Sequence, residues 1–224
     1  MRRPGTGPLL AGVGIAAALL YFLGLAAGIP ELRLVLKPLP ALVLATWVGR
    51  RCSRPSGRLT AAGLALSAAG DVLLELGRFL PGLLAFLTAH VAYVAAFVAA
   101  DRRPAFGRLL PFLAWGATAF ALLRPGLGTM ALPVGVYVAV ICTMMWRAAA
   151  RVGSTATPAL AALLGLAGAI AFGASDTLIA FDRFAAPIPG SAWPIMLLYW
   201  LGQCGIASSA VAACGILPGQ VRTR

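Results

Sequence analysis

The stretch Ser67-Ala68-Ala69-Gly70-Asp71-Val72-Leu73-Leu74-Glu75 sets a carboxylate inside a run that otherwise reads as a membrane-spanning helix. A charged side chain near the centre of a bilayer costs a few kcal/mol, about 2.5–3.5 on insertion scales, so such a residue faces the interior of a helix bundle and marks a functional site by default. At helical spacing Ser67, Asp71 and Glu75 fall at i, i+4 and i+8 and share one face. A second intramembrane acid, Asp176, follows in Phe172-Gly173-Ala174-Ser175-Asp176-Thr177. These two acids, and the polar groups that gather at their depth, are the chemistry this chain displays.

The surrounding composition fixes the class. Of 224 residues 61% are hydrophobic and 11% are charged, and mean hydropathy is +0.92, whereas soluble domains carry roughly a quarter charged residues. The expected fold is all-α, a polytopic bundle. The net charge of +12 does not point to nucleic acid, because the arginines lie between apolar runs and form no patch interleaved with exposed aromatics. Lys37 stands alone as a lysine against seventeen arginines. Cys52, Cys142, Cys204 and Cys214 form no CxxC and no metal-ligand spacing, so they read as packing residues; neither metal nor cofactor is expected.

A span takes about 20 apolar residues, and eight stretches qualify: 8–27, 32–49, 60–76, 81–100, 109–123, 128–146, 158–181 and 193–215. The first reads as a retained anchor, since seven more follow it. Lys37-Pro38-Leu39-Pro40 interrupts the second, and Pro125-Gly126 reads as the turn after the fifth. Thr129, Pro133, Tyr137 and Thr143 of the sixth look structural. In the seventh, Ala161, Gly165, Ala169 and Gly173 make a small-residue stripe that admits a neighbouring helix closely. Thirteen of the eighteen basic residues fall on the side that holds both termini, which predicts cytoplasmic termini in a cell membrane by the positive-inside rule.

At a rise of about 1.5 Å per residue, Lys37, Asp71, Asp176 and Tyr199 come to lie in the outer half of the bilayer, and His90 and Gln203 near its middle. One buried polar site is expected there, with Tyr93, Tyr199 and Gln203 in its wall. Lys37 snorkels outward or binds a phosphate, and His90 is a core histidine or a relay for the acids. Glu75 is expected to be solvated or paired with Arg78. The pairs Gly70-Asp71 and Ser175-Asp176, each followed one span later by a tyrosine beside a second polar group, suggest a four-plus-four parallel repeat. Two acids in one low-dielectric cavity do not both ionise easily, so one is expected to hold a proton and the other to stay anionic. Asp71, nearer the bilayer centre, is the expected donor. No nucleotide loop, HExxH or GxSxG motif is present, and on the residues alone a small proton-coupled transporter of a lipid or amphiphile takes first place.

The placement of Lys37-Pro38, Gly70-Asp71, Phe86 with His90 and Tyr93, Phe172 with Ser175-Asp176, and Tyr199 with Gln203 on successive spans resembles the YhhN family, bacterial relatives of the animal TMEM86 lysoplasmalogenases. The resemblance runs from about Leu32 to Ser209. It implies an eight-spanning hydrolase that cleaves the vinyl ether of a lysophospholipid substrate to a fatty aldehyde and a glycerophospho-alcohol, with Asp71 and Asp176 as the catalytic pair and Lys37, His90, Tyr93, Ser175, Tyr199 and Gln203 in support. No protein partner is implied. The transporter becomes the alternative. An intramembrane aspartyl protease fits less well, because Ala68 stands where a GxGD pattern has its first glycine, and Ser175 stands where that family has tyrosine.

Overall fold

The computed structural model describes residues 7–215, and these form nine α-helices with no strand among them. They are α1 (Gly7–Ala27), α2 (Pro30–Leu36), α3 (Leu39–Arg51), α4 (Pro55–Glu75), α5 (Phe79–Ala100), α6 (Leu110–Leu127), α7 (Ala131–Ala150), α8 (Ala159–Phe184) and α9 (Ala192–Cys214). All-helical structure is what an apolar medium demands, because a helix satisfies its backbone groups internally. Six stretches are long and apolar enough to cross a membrane: Gly7–Ala27, Pro30–Arg51, Phe79–Ala100, Phe106–Ala150, Ala159–Phe184 and Ala192–Cys214. The fourth of these contains both α6 and α7, and α4, which carries the acidic stretch, is not among the six. Leu9, Ile15, Leu19, Leu110, Leu132, Leu160 and Leu201 project from the bundle with most of their surface uncovered, an apolar exterior that suits lipid and not water. This is a multi-pass membrane protein.

Element boundaries follow local chemistry. Prolines open α2 and α4 at the first turn, where a missing N–H costs nothing. The interruption at Lys37-Pro38 is mild: both residues keep helical dihedrals and α3 continues from α2. The expected turn at Pro125-Gly126 is displaced. α6 runs through Pro125 to Leu127, and the chain reverses at Gly128, whose φ of 49° is a conformation open to glycine. Proline keeps helical φ and only forfeits one hydrogen bond, so it does not by itself end a helix.

Helix pairing is set by small residues. A Cβ on Gly168 of α8 would meet the carbonyl of Gly202 and the amide of Ile206 at 2.7 Å, and one on Gly205 would meet Gly168. Thus α8 and α9 touch backbone to backbone, off the expected stripe, of which Gly165 packs on Ser209 and Gly173 on Met145. In α4, Gly63 receives the ring of Tyr93 and Gly70 that of Phe86, both from α5. The two tightest pairings, α4 with α5 and α8 with α9, each contain one of the acids.

Most of the arginines collect at one end. Arg147 donates to the carbonyls of Asp101 (2.7 Å) and Arg103 (2.9 Å), and Arg108 to those of Ala149 and Val152, both at 2.6 Å. They meet carbonyls at the C-termini of α5 and α7, where helix dipoles favour positive charge. At this end Cys52, just after α3, is joined to Cys214 of α9 with Cα atoms 5.6 Å apart. The packing role expected for these two cysteines is therefore corrected to a cross-link, because two ends distant in sequence converge. Arg2, Arg3, Arg222 and Arg224, and with them the placement of both termini, lie outside the described residues.

Candidate functional site

Asp71 sits on the buried face of α4 and is 2% exposed. Its Oδ2 accepts the hydroxyl of Tyr199 from α9 at 2.7 Å. One turn further along α4, Glu75 takes both nearby cations: Arg33 at 2.6 Å and Lys37 at 3.1 Å. Glu75 was expected to be solvated or paired with Arg78, and Lys37 to snorkel outward or bind a phosphate. Instead the Lys37 ammonium and the Glu75 carboxylate are largely covered and spent on one another, since two opposite charges brought to one depth by separate helices lower each other's burial cost. The positive charge that remains in excess over Glu75 lies on the Asp71 side of the bundle.

Beneath Asp71 a neutral network continues. Tyr93 donates to Oε1 of Gln203 at 2.7 Å, and Ser67 lies 3.4 Å from the Tyr93 hydroxyl. These residues are buried as expected, but none of them lines the cavity described below. Ser175 also turns away, donating to the Ile195 carbonyl at 2.9 Å, and so stitches α8 to α9.

Asp176 has different company. Its Oδ2 accepts the hydroxyl of Tyr137 from α7 at 2.6 Å and lies 3.5 Å from Nε2 of His90 on α5. The other imidazole nitrogen, Nδ1, is 2.7 Å from the Phe86 carbonyl. A carbonyl only accepts, so Nδ1 carries the ring proton, and in a neutral imidazole Nε2 turns a lone pair toward Asp176. That Nε2 is buried without a hydrogen-bond partner. Tyr137, taken above as structural, belongs to the site. The signal in the sequence was a lone phenol in the uncharged stretch 128–146, since a buried Tyr hydroxyl needs a partner.

Asp176 and Tyr137 line an apolar cavity of about 70 Å³ among α4, α5, α6, α7 and α8, together with Phe79, Phe86, Leu123 and Phe184. Asp71 is not among its lining residues. Phe86, Phe172 and Tyr199 form an aromatic partition beside it, with centroids 5.2–6.2 Å apart. The expected single cavity shared by both acids is thus corrected: one acid is presented to the cavity and the other is held behind aromatic rings. Ala119 and Thr177 of the cavity wall also line a groove of about 480 Å³ between α6 and α8, which is open on the outside of the bundle. Among the described residues no cluster of His, Cys, Asp or Glu could hold a metal ion.

A stretch of 94 residues, 41% of this chain, is 43% identical to "Lysoplasmalogenase TMEM86A" of Bos taurus, covering 39% of that protein. It is 42% identical over 94 residues to the Homo sapiens protein of the same name, again 39% of its length. For "Lysoplasmalogenase TMEM86B" of Homo sapiens the identity is 36% over 82 residues, 37% of this chain and 32% of that one. The chain therefore spans less than two fifths of the length of the curated relatives it matches. No solved structure matches the chain. A family model, however, matches residues 32–210, which take in every helix from most of α2 through most of α9, and by that match the chain belongs to the YhhN family.

Proposed function

We propose that this protein hydrolyses the vinyl ether bond of lysoplasmalogens, with Asp176 as the proton donor. The observation that carries the reading is the position of Asp176: it is the acid that lines the apolar cavity, bonded to Tyr137 and faced by the lone pair of His90. The names of the relatives supply the substrate class.

Vinyl ether hydrolysis begins with protonation of the β-carbon. The carboxylic acid proton passes to that carbon and the double bond becomes an oxocarbenium ion. Water adds to it and returns a proton to the Asp176 carboxylate. The resulting hemiacetal collapses to a fatty aldehyde and a glycerophospho-alcohol, so one water is consumed and the acid is regenerated. A positioned acid of this kind is worth about 10²–10⁴ in rate. Tyr137 and His90 hold the carboxyl group in place from two sides, the phenol by its hydrogen bond and the imidazole by the lone pair that faces it. Asp71, beside Tyr199 and near the excess charge of Arg33 and Lys37, serves as the carboxylate whose negative field favours the cation, as the second acid does in glycosidases. This division reverses the order expected from depth alone, because access to substrate outweighs depth in the bilayer.

The alkenyl chain lies in the groove between α6 and α8, which shares Ala119 and Thr177 with the cavity. We further propose eight spans, with α2 and α3 together making one, and cytoplasmic termini. The arginine-lined end of the bundle supports this orientation. The crossed partnership of the acids, Asp71 of α4 with α9 and Asp176 of α8 with α5, supports a four-plus-four repeat.

Protein purified in a non-ionic detergent and supplied with a lysoplasmalogen in D2O tests the reaction. The expected product is an aldehyde carrying one deuterium at C2, and none from the saturated ether analogue. Uptake of the lipid into vesicles without aldehyde would replace the hydrolase by the transporter.

A further inference from the structure

At its mouth the cavity is framed by Phe79, the first residue of α5, and Phe184, the last of α8. Over these two rings lies Arg183, its guanidinium carbon 3.8 Å from the Phe79 centroid and 5.9 Å from that of Phe184. Stacking fixes the plane of the guanidinium while leaving its N–H donors pointing outward. Arg183 is exposed and makes no ion pair among the described residues. The neighbouring carboxylate, Asp182, accepts the amide of Ile188 at 2.6 Å. Arg33 and Lys37, in contrast, are both committed to Glu75.

From these observations we infer that Arg183 is the phosphate-binding residue of the substrate site and sets the depth at which the vinyl ether meets Asp176. The inference rests on the hydrolase reading for the identity of the lipid, but the anion site stands on the rim geometry.

The spacing on α8 works as a ruler. Asp176 and Arg183 are seven residues apart, close to two helical turns, so they lie on one face about 10 Å apart along the axis at ~1.5 Å per residue. Ile179, Ala180 and Phe184, between and beside them, line the same cavity. In a lysoplasmalogen seven bonds separate the phosphorus from the β-carbon of the vinyl ether. At about 3.5 Å for each three bonds of extended chain, that is about 8 Å. A phosphodiester on Arg183 therefore brings the carbon to be protonated level with the Asp176 carboxyl group. The apolar wall between accepts the glycerol carbons, and the chain beyond the double bond continues into the groove between α6 and α8.

The test compares two substrates that differ in the phosphate alone: a choline lysoplasmalogen and the corresponding 1-alkenylglycerol. Arg183→Gln is expected to raise KM for the phospholipid about ten- to a hundredfold, the worth of a charge-assisted hydrogen bond, and to lower kcat for that substrate as well, because its vinyl ether is no longer held level with Asp176. KM for the alkenylglycerol should stay as in the unaltered protein, and Arg183→Lys should restore part of the loss. Equal loss on both substrates would mean that Arg183 only supports the rim, and the inference would fall. If the unaltered protein releases aldehyde from neither substrate, the hydrolase reading fails while the anion site stays testable. Dodecyl phosphate in a maltoside detergent should then protect the unaltered protein, and not Arg183→Gln, against thermal unfolding. Inorganic phosphate alone should protect neither. Protection of both proteins by dodecyl phosphate, or of the unaltered protein by inorganic phosphate alone, would overturn the lipid-phosphate assignment.

Discussion

The proposed mechanism makes three demands of Asp176 at once: to hold a proton, give it to carbon and take another from water. Asp176→Asn keeps the shape and the Tyr137 contact but cannot donate to carbon, so kcat should fall about a thousandfold or more while lipid binding in detergent persists. Asp71→Asn removes a charge from behind the aromatic partition, and a loss of about ten- to a hundredfold in kcat with unchanged KM is expected for a field felt in the transition state. Retention of full turnover by Asp176→Asn would sink the mechanism. Tyr137→Phe should cost about tenfold in kcat, because its single hydrogen bond of 2.6 Å orients the acid. Its folded population, followed by size-exclusion profile, should be unchanged. Position along a helix axis was legible in the sequence, so Asp71, His90 and Gln203 were expected inside the bundle, where they are buried. Rotation about that axis depends on which neighbour packs where, so the acid that faces the cavity and the role of Tyr137 were not legible.

Between helices, the closest approaches are made by glycine, and substitutions there separate packing from chemistry. Gly168→Ala would drive a methyl group into the Gly202 carbonyl and the Ile206 amide. A loss of about 1–3 kcal/mol follows from overpacking against backbone that cannot yield, measured as thermal unfolding in detergent. Gly49→Ala on α3 meets nothing within 4 Å and should be neutral or stabilising by up to about 1 kcal/mol, the helix-propensity difference. Equal effects at the two positions would mean that α8 and α9 are not in backbone contact. The helices themselves were readable because a bilayer forces hydrogen bonding to be local, and apolar length then marks each one. The turn at Gly128 was missed because Pro125-Gly126 is the stronger local turn signal. The Gly168–Gly202 contact was missed because the most regular stripe on α8 was taken for the closest one.

Taken whole, the molecule separates its charges: arginines bound to helix C-termini at one end, a covered cluster of Arg33, Lys37 and Glu75 toward the other, and the Asp176 site in apolar walls between α5, α7 and α8. The cluster was the least legible part, since Glu75 comes from one helix and its two cations from another stretch of chain, and Glu75 was read toward solvent or Arg78. Its covered ion pair has a chemical consequence. A fatty aldehyde condenses with a free primary amine to an imine with loss of water, and under the proposed reaction the protein would be exposed to such an electrophile as its own product. Here the lysine count is one, and that amine is largely covered and paired with Glu75 at 3.1 Å, which keeps it from an approaching carbonyl carbon. Arginine, which carries the other seventeen positive charges, does not form such imines readily. Treatment with hexadecanal and cyanoborohydride should therefore leave Lys37 unalkylated by peptide mass, whereas Glu75→Ala should acquire a reduced C16 adduct there. Equal labelling of the two proteins would show that the carboxylate gives no such immunity.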